Sequence, residues 1–283
     1  IGFEINELFD EDYSYDKLRG VLAVKNVLLE ELYHKPALNV DQVFAQLMEQ
    51  RDAIAPYVAD TFHFLRDALK EGKTILLEGQ LGALKDPDYG IYPMVTSSST
   101  LAGYGAIGAG LPPYAIEDIV VVVKAYSSAV GAGAFVSEIF GDEAQEMRVR
   151  GGDAGEFGAT TGRPRRMGWF DCVASRYGVQ MQGATELALT KLDVLSGWEK
   201  IPVCTGYEVD GKVIHTFPVE TVLERCKPVY EYVEGFSGDI SGCRKFEDLP
   251  EAARNYVRYL ENAVGCRIGW VSVGAGREEY IRL

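Results

Sequence analysis

The chain has 283 residues, of which 47% are hydrophobic and 25% are charged, and its formal net charge is −14. These proportions are typical of a folded globular protein. The charge argues against a general nucleic-acid binder, because no surplus of cations is present to neutralise phosphates. We therefore expect neither nucleic acid nor a membrane among the partners of this chain.

Helical periodicity predicts helices over residues 16–33 and about 41–70, the second closed by Gly72. The apolar run at 74–79 predicts a buried strand that enters a glycine loop. Residues 119–123 read I-V-V-V-V, and this lack of alternation predicts a strand of a parallel sheet that is buried on both faces.

The second half of the chain alternates helical and strand patterns. We predict a helix at 169–181, a strand at 186–192, a hairpin at 201–214 that turns at Asp210-Gly211, a strand at 229–233, a helix at 250–264 and a strand at 271–273. No repeat or linker is evident, so we treat residues 1–283 as one α/β unit. Within it, residues 1–72 are mainly helical, and residues 73–283 carry the sheet and the ligand loops.

The five cysteines lie far apart, without a C-x-x-C pair, at Cys172, Cys204, Cys226, Cys243 and Cys266. This spacing supports neither a zinc ribbon nor a redox motif. We expect free thiols in a reducing cytosol and hence a cytoplasmic location.

Residues Gly103, Gly105 and Gly108 match the pattern G-x-G-x-x-G. A dinucleotide fingerprint needs a strand before it and a helix after it. A Thr/Ser run precedes these glycines, and Pro112-Pro113 follows them soon after. We therefore do not expect a dinucleotide site, and we attribute the glycines to close backbone packing.

The strongest chemical signal is the run E-F-G-A-T-T-G-R-P-R-R over residues 156–166, with no acid from 157 to 170. Small residues let backbone N–H groups approach a ligand, and threonines add hydroxyl donors. Arginine forks then hold carboxylate or phosphate oxygens bidentately. We predict an anion site, the alternative being a solvated basic loop paired with acids such as Glu156 and Asp171.

Three shorter segments could also meet a ligand. The run T-K-L-D at 190–193 follows a predicted strand, where Asp193 can accept the N1–H and 2-amino hydrogens of guanine and the Lys191 stem can cover the base. A capping Asp is the alternative. The hydroxyl run at 96–100 suits phosphate contacts or a helix N-cap, and V-G-A-G at 130–133 could bring backbone groups against a ligand.

Taken in order, these segments resemble the adenylosuccinate synthetase family over essentially the whole chain. The matching stretches lie at 77–82, 92–98, 124–133, 156–166, 190–195 and 272–274. The runs E-F-G-A-T-T-G-R-x-R-R and T-K-L-D-V-L are highly specific, and their order and spacing make chance an inadequate explanation.

The resemblance implies a P-loop-NTPase-like synthetase fold, with a mostly parallel central sheet flanked by helices. It also implies a GTP-dependent ligase that forms a C–N bond in AMP synthesis. The family transfers the γ-phosphoryl group of GTP to the 6-oxygen of IMP, and the amine of L-aspartate then displaces it to give adenylosuccinate. Mg²⁺ and a cytoplasmic homodimer belong to the same expectation.

The family's binding residues carry over by position in this sequence. The aspartate-binding loop corresponds to Ala159, Thr160, Thr161, Gly162, Arg163, Pro164 and Arg165. IMP binding is implied for Gln80, Thr96, Val130 and Arg163. GTP binding is implied for Arg165, Lys191, Leu192, Asp193, Ser272, Val273 and Gly274.

The first departure from the family pattern concerns one IMP contact. The family usually reads E-G-A-Q-G, whose Gln contacts IMP, whereas residues 78–82 read E-G-Q-L-G. Leu81 occupies the column of that Gln, and Gln80 stands one position earlier. Either Gln80 takes over the contact or the contact is lost.

The second departure is that neither G-x-x-x-x-G-K-[ST] nor the family's G-D-E-G-K-G-K occurs in the 283 residues. We expect the phosphate loop, the catalytic base and acid and the Mg²⁺ ligands upstream of Ile1, so that this chain corresponds to the C-terminal two-thirds of the enzyme and does not turn over alone. The alternatives are a non-catalytic nucleotide-binding or dimerisation module, and a relative that joins a different amino acid or purine nucleotide.

Overall fold

The structure is a computed structural model that describes residues 2–151, 155–158 and 162–283. Its contacts separate the chain into two compact units, Ile1–Thr74 and Ile75–Leu283. The first unit ends close to residue 72, where the sequence predicts the end of the mainly helical part.

The first unit is built from α1 (Glu11–Val27), α2 (Val40–Ile54) and α3 (Thr61–Lys70). A π-helical segment, Leu28–Leu32, continues α1, which confirms the helix predicted over 16–33. Leu18 and Leu22 are the buried apolar residues of α1. Arg51 of α2 pairs with Glu11 of α1 at 2.7 Å.

The single long helix predicted over 41–70 is wrong in one respect, because the chain forms α2 and α3 with a break between them. Pro56 lies in the break, inside a 3-10 turn over Ala55–Tyr57. Proline interrupts the helix there because it has no backbone N–H and clashes with the preceding helical turn. Asp60 then starts α3 by accepting the backbone N–H of His63 at 3.0 Å.

The helices of the second unit are α4 (Gly103–Ala109), α5 (Gly141–Arg150), α6 (Cys172–Gln182), α7 (Glu220–Leu223) and α8 (Glu251–Val264). Its strands are β1 (Val120–Lys124), β2 (Ser127–Ala129), β3 (Glu138–Ile139), β4 (Arg166–Gly168), β5 (Phe170–Asp171), β6 (Glu186–Thr190), β7 (Lys200–Val209), β8 (Lys212–Ile214), β9 (Lys227–Glu234), β10 (Ile268–Ser272) and β11 (Tyr280–Arg282).

The main sheet has the strand order β1-β6-β10-β11 within the described chain, with β1, β6 and β10 parallel and β11 antiparallel. Leu187 and Leu189 of β6 and Val271 of β10 share one buried core with Tyr256 and Leu260 of α8. A parallel sheet flanked by helices confirms the predicted α/β class.

The second face of β1 differs from the prediction. Val121 and Val123 pack against the core, but Val122 is 68% exposed and Val120 is also exposed. Val120 and Trp270 line an open cavity of about 300 Å³ on this face. The parallel pairing is therefore confirmed, whereas burial of β1 on both faces is wrong among the described residues.

Two smaller sheets complete the second unit. The order β2-β4-β3 forms one of them, and in the other β7 pairs with β5, β8 and β9. The predicted hairpin is confirmed, because β7 and β8 join through Asp210 and Gly211, whose φ values are 52° and 74°. Positive φ at both turn residues is what a two-residue type I′ turn requires.

Two sequence expectations about irregular segments are wrong. Residues 74–79 form no strand, and Leu76 is 91% exposed, because a short apolar run cannot by itself specify a pairing partner. The G-x-G-x-x-G glycines lie inside α4, where only Gly105 makes a close contact, with Leu77 Cδ1 3.2 Å from the position of an added Cβ. Gly103 and Gly108 face open space, so close packing does not explain them.

The remaining patterns agree with the structure within a few residues at α6, β6, β9, α8 and β10. All five cysteines are free thiols. Within the described residues, no helix combines the length and the apolarity that a membrane crossing requires.

Asp171 is a buried carboxyl group at the junction of β5 and α6. It caps α6 by accepting the backbone N–H of Ala174 at 3.0 Å, and the Tyr207 hydroxyl donates to it at 2.8 Å. The residue is 5% exposed, and burial raises its pKa from 3.8 to about 6 despite these hydrogen bonds.

We predict that Asp171→Asn removes a pH dependence of stability. Between pH 4 and 6 the folded protein binds the Asp171 proton more tightly than the unfolded chain does, so the free energy of unfolding falls as the pH rises through this window. The effect is roughly 3 kcal/mol. Asn keeps the helix cap and cannot ionise. Chemical denaturation at several pH values measures the change.

The matched control is Asp239→Asn, at an exposed residue that accepts the backbone N–H of Ser241 at 2.8 Å. Hydrogen bonding to the side chain and then to the backbone of Ser241 lowers the pKa of Asp239. In this control the free energy of unfolding should still fall as the pH rises from 4 to 6, as it does in the wild type. An Asp171→Asn profile parallel to that of the wild type would contradict the assignment.

Candidate functional site

Three parallel strands end at one edge of the main sheet. Lys124 closes β1 and pairs in register with Thr190, which closes β6, and Ser272 closes the neighbouring β10. The segments 190–193 and 272–274 therefore leave the sheet side by side. This edge is where open α/β sheets bind ligands, and the structure brings these two sequence-predicted segments together there.

Asp193 presents an unsatisfied acceptor at this edge. Its Oδ1 atom is buried and accepts no hydrogen bond from any described residue, and burial raises the pKa of the carboxyl group. The helix-capping alternative is wrong, because Lys191 rather than Asp193 is the cap of the 3-10 turn Leu192–Leu195. Lys191 adopts φ 65° and donates to the Gly151 carbonyl at 2.6 Å.

The turn after β10 is closed by Glu279. Val273 donates its backbone N–H to the Glu279 carbonyl at 2.9 Å, and the Glu279 carboxylate accepts the backbone N–H of Gly276 at 2.6 Å. A Cβ at Gly274 would meet that carboxylate, so a larger residue there would displace the Glu279 side chain. The Val273 and Leu192 side chains are buried in the core, which leaves only their backbone for a ligand.

A second cluster surrounds the buried carboxylate of Glu156, which is 2% exposed. Lys124 Nζ and the Tyr126 hydroxyl donate to Oε1 at 2.7 and 2.5 Å, and Arg165 Nη1 donates to Oε2 at 3.0 Å. Burial disfavours the ionised form, but the hydrogen bonds from Lys124 and Tyr126 outweigh it and hold the pKa of Glu156 below its usual range. Burial also lowers the pKa of Lys124.

The arginine-rich loop begins and ends as a short antiparallel hairpin. Gly158 donates its backbone N–H to the Arg163 carbonyl at 2.8 Å, and Arg165 donates to the Glu156 carbonyl at 2.9 Å. Phe157 and Pro164 form a bridge between these contacts. Both ends of the predicted anion loop are therefore fixed by backbone hydrogen bonds. Its predicted residues Ala159, Thr160 and Thr161 lie outside the described residues.

Two arginines of this loop, Arg165 and Arg166, have described carboxylate partners. Arg165 pairs with Glu156, but its Nε is buried and meets no acceptor among the described residues. Arg166 pairs with Glu138 through two nitrogens and also donates to carbonyls of the loop at 130–133. Pairing with Glu156 is confirmed and pairing with Asp171 is wrong. Sequence reasoning missed Glu138 because it becomes a neighbour only through the pairing of β3 with β4.

Asp86 contacts the end of the hydroxyl run at 96–100. Sequence reasoning did not identify this residue. It is buried, and its carboxylate accepts the backbone N–H groups of Asp88, Tyr89 and Thr100 and the Ser99 hydroxyl at 3.0 to 3.1 Å. Burial opposes ionisation, but the backbone hydrogen bonds outweigh it and hold the pKa of Asp86 below its usual range. The run D-P-D over 86–88 is an available turn signal.

Of the predicted IMP residues, Arg163 lies on the hairpin described above. Thr96 and Val130 fall on two loops that touch, and Gln80 falls on a third loop that is exposed. Val130 is exposed, and in the loop that follows it a Cβ at Gly133 would lie 3.0 Å from Met94 Cβ, two residues before Thr96. Gln80 lies in an exposed loop beside Leu81, whose φ is 75°. Whether Gln80 takes over the IMP contact or the contact is lost stays a prediction.

The described residues contain no group of three or more His, Cys, Asp or Glu side chains that could hold a metal ion. His63 contacts Asp60, and His215 contacts the Thr205 carbonyl. Where Mg²⁺ would be bound stays a prediction.

Comparisons with known proteins agree on one family. The family model described as adenylosuccinate synthetase matches residues 1–281. The adenylosuccinate synthetases of Micrococcus luteus and Streptomyces coelicolor are each 44% identical to this chain over 284 residues, covering 100% of it and 66% of their own length. A solved structure of fully ligated adenylosuccinate synthetase from Plasmodium falciparum has a TM-score of 0.89 and 32% identity, covering 98% of this chain and 65% of that chain. The chain thus spans about two thirds of the length of the proteins it matches.

We predict that Glu156→Gln lowers the free energy of unfolding by about 3 kcal/mol, because the neutral amide leaves Lys124 and Arg165 without their counter-charge in a largely buried place. The control is Glu146→Gln, which breaks an exposed ion pair with Arg150 and should cost under about 1 kcal/mol. Urea denaturation at pH 7 compares them. Equal losses in the two variants would show that the Glu156 cluster contributes no more than a surface pair.

Proposed function

Because the chain belongs to the adenylosuccinate synthetase family, we propose that it supplies the aspartate site, the guanine site and part of the IMP site of a GTP-dependent ligase. The reaction joins L-aspartate to IMP and releases GDP and phosphate. The whole reaction includes groups that the described residues do not provide.

The observation that carries this proposal is a pair of unsatisfied polar atoms at residues the family uses. Asp193 Oδ1 is a buried acceptor and Arg165 Nε is a buried donor, and neither has a partner among the described residues. Leaving such groups unpaired costs about 1–3 kcal/mol each. Guanine N1–H and 2-amino groups would satisfy Asp193, and an anionic oxygen would satisfy Arg165.

The arrangement suits phosphoryl transfer followed by displacement. Lys124, Arg165 and Lys191 place positive charge close to the strand ends, and Glu156 is the buried counter-ion of Lys124 and Arg165. Cationic groups stabilise the charge that spreads over a transferring phosphoryl group. Phosphorylation of the IMP 6-oxygen then turns it into a good leaving group for the aspartate amine.

The hairpin at 156–165 is proposed to hold L-aspartate. Gly162 has φ 63°, and its N–H donates to the Gly158 carbonyl at 2.8 Å, which brings the two described sides of the hairpin together. Arg163 and Arg165 are the cations of this loop that we assign to the substrate carboxylates. The proposal also includes Mg²⁺ in the reaction, a homodimer and a cytoplasmic location, all of which rest on family membership.

We predict that Asp193→Asn changes the base preference of the nucleotide triphosphate in the full-length protein. A carboxylate accepts both guanine donors, whereas an Asn amide would set its own N–H against the 2-amino group. We expect KM for GTP to rise about 10- to 100-fold and xanthosine triphosphate, whose C2 oxygen accepts that N–H, to become the better substrate. Steady-state adenylosuccinate formation with each triphosphate measures this.

The control for this swap is Asp239→Asn, an exposed residue of the same unit, which should leave both KM values unchanged. If Asp193→Asn kept the wild-type preference for GTP, Asp193 would not read the base.

We also predict that the 283 residues alone form no adenylosuccinate from IMP, GTP and aspartate, since no phosphate-loop motif occurs among them. Turnover by this chain alone would contradict the expectation that the phosphate loop and the catalytic groups lie outside these 283 residues. A full-length protein that binds the three ligands without turnover would favour the alternative of a non-catalytic nucleotide-binding module.

A further inference from the structure

Lys85 contacts the segment that leads into Thr96 through both its side chain and its backbone. It closes the 3-10 turn Ala83–Lys85, and its ammonium Nζ donates to the Met94 carbonyl at 2.9 Å. Its backbone carbonyl accepts the N–H of Thr96 at 2.9 Å. The ammonium is therefore fixed beside the start of the hydroxyl run at 96–100.

The charge of Lys85 is not neutralised by any described carboxylate. Among the described residues its ammonium makes the single hydrogen bond to Met94 and no ion pair. Burial, and after it the nearby charge of Arg166, lower the pKa of Lys85, and the charge of Glu220 opposes this. Glu220 forms no ion pair with the ammonium, and its buried Oε2 meets no hydrogen-bond donor among the described residues. An ammonium has three donors, so two are available to a ligand.

The neighbouring cation already has its counter-charge. Arg166 is paired with Glu138 and donates to the Gly131 and Gly133 carbonyls at 3.2 and 2.8 Å. This fixes the loop that packs on Met94. The excess positive charge between this loop and Thr96 therefore comes from Lys85.

An ammonium beside hydroxyl groups matches the chemistry of a phosphate monoester. Thr96 Oγ1 lies 3.5 Å from Ser98 Oγ, which places two hydroxyls on the same side of the run. A lysine ammonium is a compact point charge that binds phosphate without requiring a planar partner. A phosphate monoester carries nearly two negative charges at neutral pH.

We propose that Lys85 is a specificity-determining residue that binds the 5′-phosphate of the purine nucleotide beside Thr96. The inference rests on the proposed function, which assigns Thr96 to IMP. Lys85 is absent from the residues that the family resemblance assigns to IMP, and it makes the site select a nucleoside monophosphate over the nucleoside.

The test uses the full-length protein with Lys85→Gln, which keeps a donor for the Met94 carbonyl but has no charge, and Lys85→Arg, which keeps the charge. Lys212→Gln, at an exposed residue of β8, is the control. We measure KM for IMP, GTP and aspartate, and the inhibition constant of inosine, which lacks the phosphate.

We expect Lys85→Gln to raise KM for IMP about 10- to 100-fold, as loss of a charge-assisted hydrogen bond predicts, with the inosine, GTP and aspartate constants unchanged. Lys85→Arg should recover most of the IMP affinity. Equal weakening of IMP and inosine would show a merely structural role and overturn the proposal, as would an unchanged KM for IMP. Wild-type protein that does not use IMP would instead contradict the proposed function itself.

Discussion

The neutralisation of Glu156 is the interaction on which the ligand loops depend. An ionised carboxylate that is almost fully buried is stable only with charged or hydrogen-bonding partners. Its partners are Lys124 at the end of β1, Tyr126 just beyond it, and Arg165 at the far end of the hairpin. The chain cannot bury Glu156 without joining a strand end to the arginine loop, so one charge requirement fixes the geometry of both.

The need to pair buried charges also gives different roles to Arg165 and Arg166, which are adjacent in the sequence. Arg166 donates hydrogen bonds to Glu138 and to loop carbonyls, so it supports the loop at 130–133. Arg165 is paired on Nη1, but its Nε has no described partner. The anion binding that we propose is therefore local, because it uses a donor that the carboxylates of the chain leave unsatisfied, and the net charge of −14 does not predict it.

Local signals were enough to predict the elements whose ends the sequence encodes. The Asp210-Gly211 turn and the Gly265 stop after α8 adopt the positive φ values that their residue types favour. The apolar run at 74–79 failed because nothing in it specifies a pairing strand. The partners Glu138 and Asp86 were missed for a related reason, since each comes into contact with the predicted ligand loops only through segments distant in the chain.

The buried carboxylates differ in charge because their donors differ. Asp86 receives four hydrogen bonds and Glu156 contacts two cations, and the pKa of each is held below its usual range. Asp171 receives the Ala174 N–H and the Tyr207 hydroxyl, with no ion pair among the described residues, and burial raises its pKa to about 6. Glu156 and Asp86 therefore keep their charge at neutral and mildly acidic pH, whereas burial raises the pKa of Asp171, at a helix cap in the core, and of Asp193, just beyond the end of β6. Burial with cations or several hydrogen-bond donors thus keeps a carboxyl group ionised in this chain, and burial with few of them favours its protonated form.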